Sequence, residues 1–225
     1  YLQLPDVAIQ AAHDHPDRLI AFCAIDPRAI VANGVQGLVR IIQKYVDRGA
    51  KGFGEHKVGL PFDDPLMMRV YEACETVGIP LLFHIDTVRG TDEPGLPRLE
   101  HAIATFPRLN FIGHGPGWWA SISGDVDSLG GYPDGPVAAG GAIDRLMDAY
   151  PNIFGDLSAG SGANAVSRDK EFGREFLIRR QDRLMFGTDY LQPGQPVPQF
   201  ELFDSLNLPA DVQSKVFKQN AERII

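Results

Sequence analysis

The sequence predicts an α/β protein built like a (β/α)8 TIM barrel, with about six of the eight strands present in this chain. Three observations carry that expectation. Short apolar runs alternate with helical patterns at intervals of about 30 residues, which calls for a parallel sheet joined by crossover helices. The runs are nearly all apolar instead of alternating, as in strands covered on both faces. Four of them close on metal-capable residues: Lys51 to Glu55, Leu81 to His84, Phe111 to His114, and Met185 to Asp189. Barrels of this class gather their polar chemistry at the C-terminal ends of the strands.

The elements follow in order. Asp6 to Asp14 has helical spacing and ends before Pro16; Arg18 to Ile25 is a continuous run rich in strand formers. Asn33 to Asp47 places Val35, Leu38, Val39, Ile42 and Val46 on one helical face. Ala50 to Glu55 is the next strand, Pro65 to Val77 a helix with proline in its first turn, and Ile79 to Ile85 a strand. Leu96 to Phe106 is helical and Leu109 to Gly113 extended. A Gly-rich stretch from 115 to 141 is too long for a plain connection. Helix Ala142 to Tyr150, strand Ile153 to Leu157, helix Asn164 to Arg180 and strand Arg183 to Phe186 come next, with helices near 197–206 and 209–223 closing the chain. A doubly wound open sheet could also use six strands. Polar residues at nearly every strand end, not at one switch point, favour the barrel. No repeat or linker divides residues 1–225, so one domain is expected.

Composition narrows the function classes. Of 225 residues, 44% are hydrophobic, enough for one sizeable core. The net charge of −8 comes with no basic stripe, which disfavours nucleic acid as a partner. No stretch approaches the roughly 20 apolar residues of a membrane span, so no membrane association is expected. Cys23 and Cys74 lack CxxC spacing and read as buried thiols of a reducing compartment, making cytoplasm the expected location. The chain opens at Tyr1 without Met and enters a helical pattern at once, which suggests a preceding segment.

Candidate site residues follow from the strand ends. His84 and His114 occupy equivalent positions on neighbouring runs and would point into one pocket, although either alone could be a satisfied core histidine. Asp189 is a carboxylate that burial would penalise unless it is paired or bound to a cation; it could also take a proton. Of Glu55 and His56, only one can face the interior, and Glu55 is the choice; Lys57 could hold an anionic substrate. Trp118, Trp119 and Tyr132 could line an apolar substrate pocket, or pack their loop onto the barrel. His13-Asp14-His15 sits at a helix end, where residues i and i+2 point apart, so it is read as a solvated terminus. Asp156 closes Ile153-Phe-Gly-Asp156, but nearby Ser158 lacks a nucleophile elbow. Arg168-Asp169 opens the body of the expected 164–180 helix and is read as structural, although Arg168 could reach an anion.

These pieces together resemble the amidohydrolase superfamily, in its amidohydrolase-related branch of metal-dependent TIM-barrel enzymes. The matching segments are Pro16-Asp-Arg18, Gly49-Ala-Lys-Gly52, Leu82-Phe-His84, Ile112-Gly-His114-Gly-Pro, Tyr150-Pro-Asn152 with Gly155-Asp-Leu-Ser158, and Leu184-Met-Phe-Gly-Thr-Asp-Tyr190. The resemblance implies that His84 is a metal ligand, that His114 binds a second metal or polarises the substrate, and that Asp189 is both ligand and proton shuttle. It also implies that a carboxylate such as Glu55 can join the metal site. Gly54-Glu55 is similar to the equivalent spot in TatD-like deoxyribonucleases, a branch the net acidity argues against. One departure stands out: the family opens on a strand bearing an HxH ligand pair, which this chain lacks.

The expected function is therefore a metal-dependent hydrolase of a small ester, lactone or amide, with zinc, or alternatively manganese, as the divalent cofactor. Non-oxidative decarboxylation of an aromatic acid is the alternative on the same site. A catalytically silent barrel or binding module is the other class. Absent strands would leave open sheet edges, from which a homo-oligomer is expected.

Overall fold

A computed structural model describes residues 4–30 and 34–225. Proline sets many of the helix starts, its missing N–H costing nothing in a first turn. It lies there in α1 (Pro5–Asp14), α3 (Pro65–Val77), α4 (Pro97–Thr105), α5 (Pro116–Ala120) and α9 (Pro198–Ser205). The remaining helices are α2 (Gly34–Asp47), α6 (Ala142–Ala149), α7 (Ala159–Ser167), α8 (Lys170–Arg179), α10 (Ala210–Ser214) and α11 (Asn220–Ile224). A π-helical turn, Lys215–Gln219, joins the last two. Asn33, the expected start of α2, lies outside the described residues.

The apolar runs form strands β1 (Phe22–Cys23), β2 (Gly52–His56), β4 (Leu81–His84), β6 (Phe111–His114), β7 (Ile153–Asp156) and β8 (Leu184–Met185). They make one six-stranded parallel sheet in that order. Short strands β3 (Leu60–Pro61) and β5 (Gly90–Thr91) pair separately, an element the sequence did not suggest. Six consecutive βα units of a partial (β/α)8 fold are thus present, the strand count expected.

Side-chain parity divides the sheet into two faces. Leu81, Phe83, Phe111, Ile153 and Leu184 point toward the helices and join the main core. Leu82, Ile112, Phe154 and Met185 point to the other face, where Ala221 and Ile224 of α11 pack on them. Asn152, just before β7, ties the start of that strand to the end of α4 and the turn after it, its buried amide donating to the carbonyls of Ile103, Phe106 and Leu109.

Three expectations need correction. The strand expected over Arg18 to Ile25 pairs only at Phe22–Cys23, leaving Leu19 and Ile20 exposed. The helix expected over Asn164 to Arg180 is two helices. Asp169 caps the second by accepting from the Phe172 N–H, so a short polar side chain competes with the continuous helix. The stretch from 115 to 141 also holds a helix, α5, that its glycines concealed.

Candidate metal centre

The inner-face parity that sets Leu82, Ile112 and Phe154 side by side also places His84, His114 and Asp156, two residues further along each strand, on that same face. Cα register pairs His84 directly with His114, and their rings stand 5.4 Å apart. Glu55 reaches the same place from β2. The pairing of β2 with β4 shifts register between Phe53 and His56, an irregularity that re-aims side chains. Gly54 permits it: its φ is +143°, and a Cβ there would lie 2.5 Å from the Leu82 carbonyl oxygen.

The result is a group of three potential ligands, one oxygen of Glu55 and one nitrogen each of His84 and His114, all within 4.8 Å of one another. Glu55 Oε1 lies 2.7 Å from His84 Nδ1 and 3.7 Å from His114 Nε2. Each imidazole is also held on its far side by a carboxylate. His84 Nε2 is 3.0 Å from Asp86 Oδ2, and His114 Nδ1 is 2.9 Å from Asp156 Oδ2. Asp86 is itself fixed by the backbone N–H groups of Val88 and Arg89 and by the Arg89 guanidinium. Ser158 donates its hydroxyl to Asp156, and the Lys57 ammonium pairs with Glu55. Two imidazoles and a carboxylate, with the outer imidazole nitrogens backed by carboxylates, are donors that suit a divalent transition metal.

Charge is distributed unevenly over the site. Burial pulls the Glu55 carboxyl upward, but hydrogen bonds from His84 and Lys57 outweigh it and hold it at about 2. Asp86 likewise lies at about 2, burial being overcome by the Arg89 and Val88 N–H groups. Burial disfavours the His114 cation, yet the bonded Asp156 carboxylate and the charges of Glu55 and Asp189 raise its pKa. Asp189 is raised, by burial first and, against the pull of His114, by the negative charges of Glu55 and Asp156.

A cavity of about 280 Å³ opens onto these groups, lined by Glu55, Leu82, His114, Asp156, Ser158, Gly187, Thr188 and Asp189. Asp189 therefore shares the cavity, but it is not one of the three residues whose ligand atoms cluster within 4.8 Å. Its φ of +51° places it in the left-handed region, a conformation costing of order 1 kcal/mol that Asp tolerates better than most residues. Gln195 steadies it by donating to its carbonyl.

Other candidates fall elsewhere. His56 faces away from the site as strand parity requires; it is 1% exposed, against Met67 and beside Phe53 and Tyr71. Lys57 sits beside the site, engaged with Glu55. The expectation that Trp118 and Trp119 line a substrate pocket is corrected: they are 0% and 2% exposed. They lie on the helix-covered face, against Gly113 and Gly155, which alternate with His114 and Asp156 along their strands. Trp119 instead donates to the Asp156 carbonyl and so braces β7 from behind. His13 and His15 are exposed; His13 contacts the Arg48 carbonyl from the last turn of α1.

The sequence reading missed Asp86. Its one signal was a second acidic residue two positions beyond His84, in a loop with Arg89 to neutralise it. Asp156 and Ser158 were noticed as ends and neighbours of a strand, but not as supports for His114.

Comparison with known proteins places the fold and the family. The family profile "Amidohydrolase" matches residues 3–225. Among solved structures, an uncharacterized TIM-barrel protein from Bordetella bronchiseptica superposes with a TM-score of 0.68 at 20% identity, covering 98% of this chain and 71% of that one. A 5-carboxyvanillate decarboxylase from Novosphingobium aromaticivorans, complexed with manganese and a nitrobenzoic acid, gives 0.61 at 19% identity, covering 97% and 67%. A probable 2-pyrone-4,6-dicarboxylic acid hydrolase from Acinetobacter baumannii with citric acid bound gives 0.61 at 10%, covering 97% and 77%. No curated protein matches the chain. The profile spans almost the entire sequence, and the strand-end histidines fall where a barrel of this kind keeps its chemistry; the chain belongs to the amidohydrolase family.

Proposed function

We propose that the protein is a metal-dependent hydrolase of a small, uncharged ester, lactone or amide, with zinc or manganese held between Glu55, His84 and His114. The observation that carries the reading is the convergence of those three donors, each imidazole backed by a carboxylate. A divalent cation there would supply Lewis acidity toward a carbonyl group and toward water.

The chain's own groups divide the remaining work. Asp189, on the wall of the same cavity with a raised carboxyl pKa, exchanges a proton with water or the leaving group. His114, held through Nδ1 by Asp156, keeps Nε2 turned toward Glu55, where it would serve as a ligand. Asp86 and Asp156 hold the two rings in register, so the cavity is shaped before substrate arrives.

Charge favours a neutral substrate over an aromatic carboxylate. Glu55, Asp156 and Asp189 line the cavity, while Lys57 and Arg89, cations beside the site, are already engaged by Glu55 and Asp86. Non-oxidative decarboxylation would leave the bound divalent cation as the counter-charge for the substrate's own carboxylate, because both side-chain cations are engaged.

The test is reconstitution with zinc or manganese followed by assay against a panel of lactones, esters and aromatic carboxylates. Metal-dependent hydrolysis of the neutral members supports the reading. Decarboxylation alone would replace it with the lyase, and neither activity with no bound metal would leave a binding module.

A further inference from the structure

The long segment between β6 and α6 offers three large aromatic side chains, and two of them are consumed by packing. Tyr132 is not: it remains 54% exposed. It is nevertheless held in place. Its ring lies on Gly160 in the first turn of α7, where a Cβ would come 3.0 Å from Cε2 and 3.1 Å from the hydroxyl oxygen. Gly160 stands two residues beyond Ser158, which lines the cavity next to Asp156.

The residues after Tyr132 run along α7 as a strap. Asn164 donates to the Pro133 carbonyl at 3.3 Å, and Arg168 to those of Asp134 and Gly135 at 3.3 and 3.4 Å. The Val137 N–H donates to Asp169 at 3.1 Å. On the other side, Leu129 is buried against Gly117, and Gly130 meets Thr87, the neighbour of Asp86. The strap thus runs from the loop that follows β4 to α7, the helix that follows β7; these two strands carry His84 and Asp156. An aromatic ring fixed from both sides but left uncovered costs little ordering entropy when something stacks on it.

We propose that Tyr132 is a specificity-determining residue, its ring forming one wall of the entrance and selecting substrates with a planar apolar group beside the reacting carbonyl. The carbonyl chemistry rests on the hydrolase reading above; the ring's role rests on the strap and on Gly160.

The experiment uses the whole chain and two non-hydrolysable ketones, 1-phenyl-2-butanone and 3-hexanone, whose binding is measured by ligand-observed NMR titration. The matching methyl esters, methyl phenylacetate and methyl butyrate, are assayed for turnover by the metal-loaded protein. Tyr132→Ala should weaken the phenyl ketone by about 5-fold, the scale of one aromatic stacking contact, and leave 3-hexanone unchanged. Tyr132→Phe should retain wild-type preference. Gly160→Ala, which pushes on the ring without removing it, should fall between them. Equal weakening of both ketones would make Tyr132 a packing residue, and no preference in the wild type would overturn the proposal outright. A ketone preference without ester turnover would keep the wall and discard the hydrolase.

Discussion

Gly187 lies against the carboxylate that backs His114, and replacing it with alanine tests how the site is held. A Cβ at this position comes 2.4 Å from Asp156 Oδ1 and 2.8 Å from Ser158 Cβ. Ordinary contact needs about 3.5 Å, so the Asp156 carboxylate has to withdraw by about 1 Å. Its bond to His114 Nδ1 is 2.9 Å long, and a shift of that size in the carboxylate misaligns this bond and loosens the hold on the imidazole. Gly187 is not among the residues with positive φ, so the backbone itself accepts alanine. Losing an outer partner of a metal-ligating histidine costs about 10- to 100-fold in affinity or activity. Overpacking adds about 1–3 kcal/mol of destabilisation, read separately from urea melts of the metal-free protein. Zinc affinity by chelator competition is the assay. A Gly187→Ala protein that binds zinc within twofold of wild type would refute the link between Asp156 and a metal-ready His114.

Other outcomes follow from the same geometry. Burial lowers the His56 pKa to about 4, so the folded protein keeps it neutral while the unfolded chain protonates it near 6.5. Its stabilising contribution is complete above about pH 6.5 and is lost as pH falls toward 4, by about 3 kcal/mol in all. Urea melts of wild type and His56→Leu across that range should show the variant's pH dependence shallower by this amount; parallel curves would count against it. Glu55→Gln leaves the fold in place but should weaken metal binding at least as much as loss of an outer partner, about 10- to 100-fold by calorimetry. Trp119→Phe removes the donor to the Asp156 carbonyl and should cost about 1–3 kcal/mol of stability while leaving substrate KM unchanged. A raised KM with normal stability would restore Trp119 to the substrate pocket.

Much of this was legible because strand ends in a parallel barrel carry a simple code. An apolar run fixes which residue ends the strand, and period-two alternation fixes which neighbour shares its face. That reasoning located His84 and His114 and chose Glu55 over His56. It failed where long-range packing decides. Trp118 and Trp119 sit in a Gly-rich stretch that reads as a loop, and only the sheet's outer face, with Gly113 and Gly155 leaving room, shows that they belong to the core. Asp86 escaped because its role depends on a turn, with Val88 and Arg89 folding back onto it. Asp189 was expected among the ligands; it lines the cavity outside the three-donor cluster, and its left-handed backbone conformation is something sequence pattern does not encode.

The account's central claim is that Glu55, His84 and His114 make one metal site. Elemental analysis after zinc loading and exhaustive dialysis addresses it directly, comparing wild type with His84→Ala/His114→Ala. The expected result is about one ion per chain in the wild type and a large loss in the double variant. Retention of zinc by the variant, or none in a folded wild type, would contradict it.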